Sequence, residues 1–275
     1  MGTIFLYIFA ISFFATLVRS TLGFGESLVA VPLFSIIIPI ETAVPLSVLI
    51  SVLVALVVVI QDHKQIHLYS AKWLILFSAP GIPIGIVALI YGNEFWIKIG
   101  LGILIILYAS YSMLGKNRFH LEKDSRLWLF ICGFLSGILG GAYGVNGPPL
   151  VVYGNMRNWT AKDFRATLQG YFLPASFIGI VGYFFKGLIT LEVLKYFMLS
   201  LPAVFPAIFF GRFLNHKLKD GSFFRYAYWG LLFIGAFLIV YSIVKNGIKH
   251  PNTVTTMSSA PAAKLIPPPC RSSPY

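Results

Sequence analysis

The sequence predicts an all-α, polytopic membrane protein of two pseudo-symmetric repeats, with eight long spans and two short interrupted helices. Three observations predict it. Of 275 residues, 57% are hydrophobic and 11% charged, whereas a water-soluble domain carries roughly 25% charged residues. Apolar runs long enough to cross a bilayer recur from one end of the chain almost to the other. The order of those runs, with the glycine-rich breaks between them, occurs twice.

The first run covers 3–22. It has the length of a leader peptide, but no basic residue precedes its apolar stretch and it leads straight into a glycine-rich turn. It reads as a membrane helix. Further spans fall at 43–60, 69–91, 96–115, 127–143, 166–185, 192–211 and 223–244, near the roughly 20 residues that a crossing helix needs. Two shorter runs, 27–39 and 147–156, each follow a glycine-rich break and carry proline near their start. They read as half-helices.

Sliding the chain by 121 residues sets Gly23 on Gly144 and the short run after Gly25 on the one after Asn146. The expected organisation is a first membrane repeat at 1–120, a second at 121–249, and a tail at 250–275. The tail holds six prolines in 26 residues; with so few large apolar side chains it cannot offset the entropy of ordering, and is expected to be disordered. Interrupted segments at matching positions of two repeats point to a secondary transporter and its binding site.

The net charge of +12 does not imply a nucleic-acid partner. The basic residues sit in short clusters between apolar runs, where the positive-inside bias and anionic lipid account for them. Their distribution separates two topologies. If the short runs re-enter without crossing, 10 basic residues collect on one face and 9 on the other. If they complete a crossing, giving five passes per repeat, the split is 14 to 5. The second arrangement satisfies the bias, inverts one repeat relative to the other, and puts both termini outside.

The chemistry concentrates at the breaks. Gly23-Phe24-Gly25-Glu26-Ser27 leads to Pro32, and Gly140 to Gly147 leads to Pro148 and Pro149. Glycine lets a helix end and the backbone turn, and proline suits the first turn of the next helix. A helix broken at membrane depth exposes backbone that is tolerated only in a cavity or inside protein, and its N-terminus favours an anion. The candidate substrate-binding residues are therefore Gly23, Gly25, Ser27, Gly144, Asn146, Gly147 and Pro148, with Gln169 as a further donor. Arg165 would add a positive charge able to grip an oxyanion. Arg19 and Glu26 are candidates for a charge pair, and Glu26 for carrying a coupling proton. Gly133, Gly137 and Gly141, at helical spacing, read instead as a helix–helix contact.

The stretch GGAYGVNGPPLVVYGNMRNWTAKDFRATLQGYF, residues 140–172, resembles the second-half signature of the TauE/SafE family, the sulfite exporter family of membrane permeases. Gly147 to Leu150 and Phe164-Arg165-Ala166-Thr167 carry the resemblance; the turn leading to Pro32 and Leu33 resembles the first-half motif. Family members often have further glycines where this chain has Glu26 and Ser27. The resemblance spans about residues 3–245. It implies a multi-pass permease of the bacterial inner (cell) membrane for a small anion such as sulfite or an organosulfur or organic acid.

The expected function is thus a secondary carrier working by alternating access, embedded in lipid and coupled to a proton or ion gradient. No enzyme activity, cofactor, metal or nucleic acid is expected. An anion channel and a non-transporting scaffold or receptor subunit are the alternatives. Cys132 and Cys270 form no motif, and His63 and His67 lie in a polar loop. Asn158-Trp159-Thr160 is a glycosylation sequon on the face expected to be cytoplasmic.

Overall fold

The computed structural model describes residues 2–62, 67–114, 121, 124–157, 159, 161–217 and 221–249. The expected tail, His63 and the sequon residues Asn158 and Thr160 lie outside the described residues. Lipid offers no partner to backbone N–H and C=O groups, and a helix satisfies them within itself. The described residues accordingly form helices throughout: α1 (Gly2–Leu22), α2 (Glu26–Ile37), α3 (Ile40–Asp62), α4 (Leu68–Ser78), α5 (Gly81–Tyr91), α6 (Glu94–Leu114), α7 (Arg126–Tyr143), α8 (Gly147–Met156), α9 (Ala161–Phe185), α10 (Leu191–Lys217) and α11 (Gly221–Lys249).

Helices α1, α3, α6, α7, α9, α10 and α11 are each long and apolar enough to cross a bilayer. The span expected at 69–91 is instead the pair α4 and α5, bent by 44° at Ala79-Pro80. Pro80 lacks an N–H and its ring crowds the carbonyl four residues back, which is how a proline breaks a helix. The two short helices, α2 and α8, follow the breaks with 12 and 10 residues. Gly23, Gly25 and Gly144 hold φ of 87°, 93° and 67° there, a region that only glycine enters freely.

The surface is apolar and polar groups lie inside. Leu6, Phe185 and Phe233 face outward, while Arg19, Glu26 and Lys98 are buried. This is the distribution of a polytopic membrane protein. The main packing pairs are α1 with α10, α4 and α5 with α7, α6 with α11, and α3 with α9. The glycines at 133, 137 and 141 run along the contact of α7 with α4 and α5. A Cβ on Gly137 would lie 2.9 Å from the Ser78 carbonyl carbon, and one on Gly141 would lie 2.9 Å from the Ile86 nitrogen.

Contacts at the two ends of the bundle bear on the crossings. Lys98 and Lys245 line one pocket where α6 begins and α11 finishes. At the far end of α4 and α5, the His67 N–H donates to Thr167 Oγ1 at 3.0 Å and its ring stacks on Trp159. Asp124 there accepts from Ser70 and Arg157. An eight-crossing chain with re-entrant short helices would put Lys98 opposite Lys245 and residues 61–72 opposite 157–165. The contacts instead bring each of these pairs to one end of the bundle.

Replacing Gly137 with Leu should force α7 off α4, because the obstacle is backbone. Overpacking of this kind costs about 1–3 kcal/mol, so the midpoint of thermal unfolding in detergent should fall clearly. Gly230→Ala is the control: nothing among the described residues lies within 4 Å of its added Cβ, and its midpoint should hold or rise.

Candidate functional site

Both breaks open onto one buried cavity. Its lining comprises Arg19 from the end of α1; Gly25, Glu26, Ser27 and Leu28 from the start of α2; Ser51 of α3; Gly144, Val145, Asn146 and Gly147 around the second break; and Phe172 of α9. The N-termini of α2 and α8 therefore meet across it. Its volume is about 20 Å³, little more than the roughly 10–15 Å³ that one water occupies on the same measure.

Arg19 is the most connected side chain at this site. One terminal nitrogen donates to Glu26 Oε2 at 2.8 Å and also to Ser51 Oγ; the other donates to Gln169 Oε1 at 2.8 Å. Its guanidinium stands 5.2 Å above the centre of the Phe172 ring. Gln169 in turn donates to the Gly23 carbonyl at 2.6 Å, satisfying a group freed where α1 ends. Arg19 is 3% exposed and Glu26 1%, so neither charge is neutralised by solvent. The pair also suits the helix ends it occupies, a cation in the last turn of α1 and an anion in the first turn of α2.

The second break is held by hydroxyls. Tyr183 donates to the carbonyls of Gly140 and Gly141 at 3.1 and 2.9 Å. Ser136 donates to the Asn146 carbonyl at 2.7 Å, and its hydroxyl pairs with that of Tyr171 at 3.0 Å. The Asn146 side chain lies against Gly140, where any Cβ would collide with its oxygen. No acidic residue occupies the first turn of α8, and Pro148 and Pro149 carry no N–H, so of its first three residues Gly147, which lines the cavity, alone carries one. Ser27 Oγ accepts from Ser47 at 3.0 Å, which leaves the Ser27 proton free to be donated.

Among the described residues, three that line the cavity carry a buried polar atom with no partner: Arg19 Nε, Glu26 Oε1 and Asn146 Oδ1. A native interior leaves few such atoms. Two converging helix N-termini and a held guanidinium make the place suitable for a small anion.

The sequence of the chain matches the model of the family described as "Sulfite exporter TauE/SafE" over residues 8–238. The chain belongs to that family. A relative from Cupriavidus necator, named "Probable sulfite/organosulfonate exporter TauE", is 25% identical over 167 residues. The match takes in 60% of this chain and 65% of that protein, so it spans just under two thirds of the relative's length. No solved structure matches.

In this TauE/SafE protein the expected residues divide. Gly25, Ser27, Gly144, Asn146 and Gly147 line the cavity, as do Arg19 and Glu26. Gly23 and Gln169 stand one layer back, joined to it through Arg19. Pro148 is buried in the first turn of α8 without being among the lining residues. Arg165 lies in α9 one turn before Gln169, and its side chain is outside the described residues. Sequence reasoning missed Ser51 and Phe172. Ser47 and Ser51, four apart in an otherwise apolar run, place two hydroxyls on one helix face, and Phe172 shares a face with Gln169; those spacings were the available signals.

Removing one member of a buried ion pair costs about 3–5 kcal/mol, whereas replacing both with apolar groups is often neutral. Arg19→Met and Glu26→Leu should therefore each lower the thermal midpoint strongly, and the double variant should recover most of the loss. A double variant no more stable than either single would contradict the pairing.

Proposed function

We propose that the chain is a secondary carrier of the cell membrane that moves a small oxyanion, sulfite or an organosulfonate or organic acid, by alternating access. The observation that carries the reading is the meeting of the α2 and α8 N-termini with Arg19 around one cavity of mostly buried residues. The family match and the relative's printed name support the substrate class, and the name points to export.

The substrate would sit between the two helix N-termini, accepting from the Gly147 N–H, the Ser27 hydroxyl and the Asn146 amide, with Arg19 as the cation. Glu26 competes with it for Arg19. Protonation of Glu26 would release the guanidinium to the anion, and return of the carboxylate would help expel it. This gives Glu26 the coupling role.

Two related halves, inverted with respect to each other, supply the alternation. Helices α2 and α8 start 121 residues apart, as do α3 and α9. Matching α1 with α7, α4 and α5 with α10, and α6 with α11 turns the α1–α10 contact into the contact of α7 with α4 and α5. The same exchange maps α3–α9 and α6–α11 onto themselves. A rocking motion about such pairs can open the cavity to either face. The small volume, about 20 Å³, favours a carrier over an open channel, and the buried polar groups favour a site over a scaffold. The more basic face, with Lys72, Arg157 and Arg212, is assigned to the cytoplasm.

Flux measured in inverted and right-side-out proteoliposomes should saturate with sulfite and be competed by sulfoacetate. Current that does not saturate would indicate a channel; no flux of either anion would remove the carrier reading. Among the described residues a Cβ on Gly147 meets only Phe24 and Phe172, at 3.8 and 4.0 Å, so Gly147→Leu should fold while filling the cavity. Its flux should drop at least about tenfold, equivalent to about 1.4 kcal/mol. Glu26→Gln should retain exchange and lose acceleration by a pH gradient.

A further inference from the structure

A second polar pocket, of about 230 Å³, lies where α6 begins and α11 finishes, lined by Asn93, Glu94, Lys98, Tyr241, Ser242, Lys245 and Asn246, with Phe95. We infer that it is a separate binding site for a small oxyanion, at the outer end of α2 and away from the central cavity.

Its walls are specific. Lys98 is 3% exposed and lines the pocket, with Nζ donating to the Ser35 carbonyl at 2.6 Å and pairing with Glu94 at 2.7 Å. Lys98 thus balances Glu94 and caps the last turn of α2. Tyr241 caps the same turn, its hydroxyl donating to the Ile36 carbonyl at 3.2 Å. Lys245 stands 5.8 Å from the Tyr241 ring and is in no ion pair among the described residues. It is the cation left for a ligand. The N-terminus of α6 faces the same space, with the Asn93 side chain accepting from the Phe95 N–H at 2.9 Å, and a helix start favours an anion.

The independent sign of a ligand is Ser242. It is 4% exposed, lines the pocket, and its hydroxyl has no partner among the described residues. A buried hydroxyl without a partner costs free energy, and an oxyanion seated beside Lys245 and Asn246 would accept from it. Two lysines against one carboxylate leave the pocket one positive charge. Ser35 lies nine residues after Glu26 on α2, so the two sites are about 14 Å apart along the helix at 1.5 Å per residue.

The site deepens the carrier reading, and rests on it only for its place on the substrate's path: in the five-pass arrangement it faces away from the cytoplasm. Because Lys98 and Tyr241 hold the end of α2 whose start lines the cavity, an anion here also touches the element that contacts transported substrate.

Calorimetric titration of the full chain in phosphatidylcholine nanodiscs with sodium methanesulfonate tests it. Gly147→Leu, with the central cavity filled, should keep one binding event. Adding Lys245→Gln to that variant should weaken the event at least tenfold, and Ser242→Ala severalfold. Loss of all binding in Gly147→Leu alone, or binding indifferent to Lys245→Gln, would overturn the second site while leaving the carrier intact. Nanodiscs containing phosphatidylglycerol identify the source. Methanesulfonate competed off by that lipid, in a way that depends on Lys245, marks a headgroup phosphate as the oxyanion; unchanged titration marks a soluble anion.

Discussion

Arg19 draws its side-chain partners from α2, α3 and α9, and so one guanidinium ties together four helices at the depth where α1 stops. A charge in the middle of a membrane protein is expensive, on insertion scales about 3 kcal/mol, and survives only with its donors occupied. Glu26, Ser51 and Gln169 occupy them, and Gln169 passes the connection on to the Gly23 carbonyl. Helix α1 can therefore end inside the bundle, which is the condition for α2 to begin there.

The same accounting governs the rest of the interior. A helix end leaves several N–H or C=O groups without partners, and here each broken end is met by a side chain from a distant element. Tyr183 serves the end of α7, Ser136 the turn before α8, and Lys98 and Tyr241 the end of α2. The N-termini of α2 and α8 are the ends turned toward open space. A helix start favours an anion, so these are the ends whose backbone suits one.

Close packing lets these ends approach. Glycines on α7 remove the side chains that would keep α4 and α5 away, and the bend at Pro80 sets the direction of α5 as it continues past them. Apolar side chains crowd the outer surface, where lipid replaces them as neighbours, so the hydrophobic effect says little about which helix touches which. Small residues and hydrogen bonds decide the pairing instead.

The sequence alone determined residence in a membrane, the long spans, the two short helices and the positions of their breaks. These depend on local properties: run length, glycine at positive φ, and proline after it. It also brought most of the cavity into view, because Gly25, Ser27, Gly144, Asn146 and Gly147 are themselves the break. It did not show that Arg19 would be pinned by Gln169, 150 residues away, nor that Ser51 and Phe172 close the cavity. The span at 69–91 read as one helix because hydropathy averages over Pro80, whereas direction depends on a single missing hydrogen bond. Which charges pair, and which ends of helices share a space, depend on contacts between segments far apart in the chain. Only the tertiary structure could decide them.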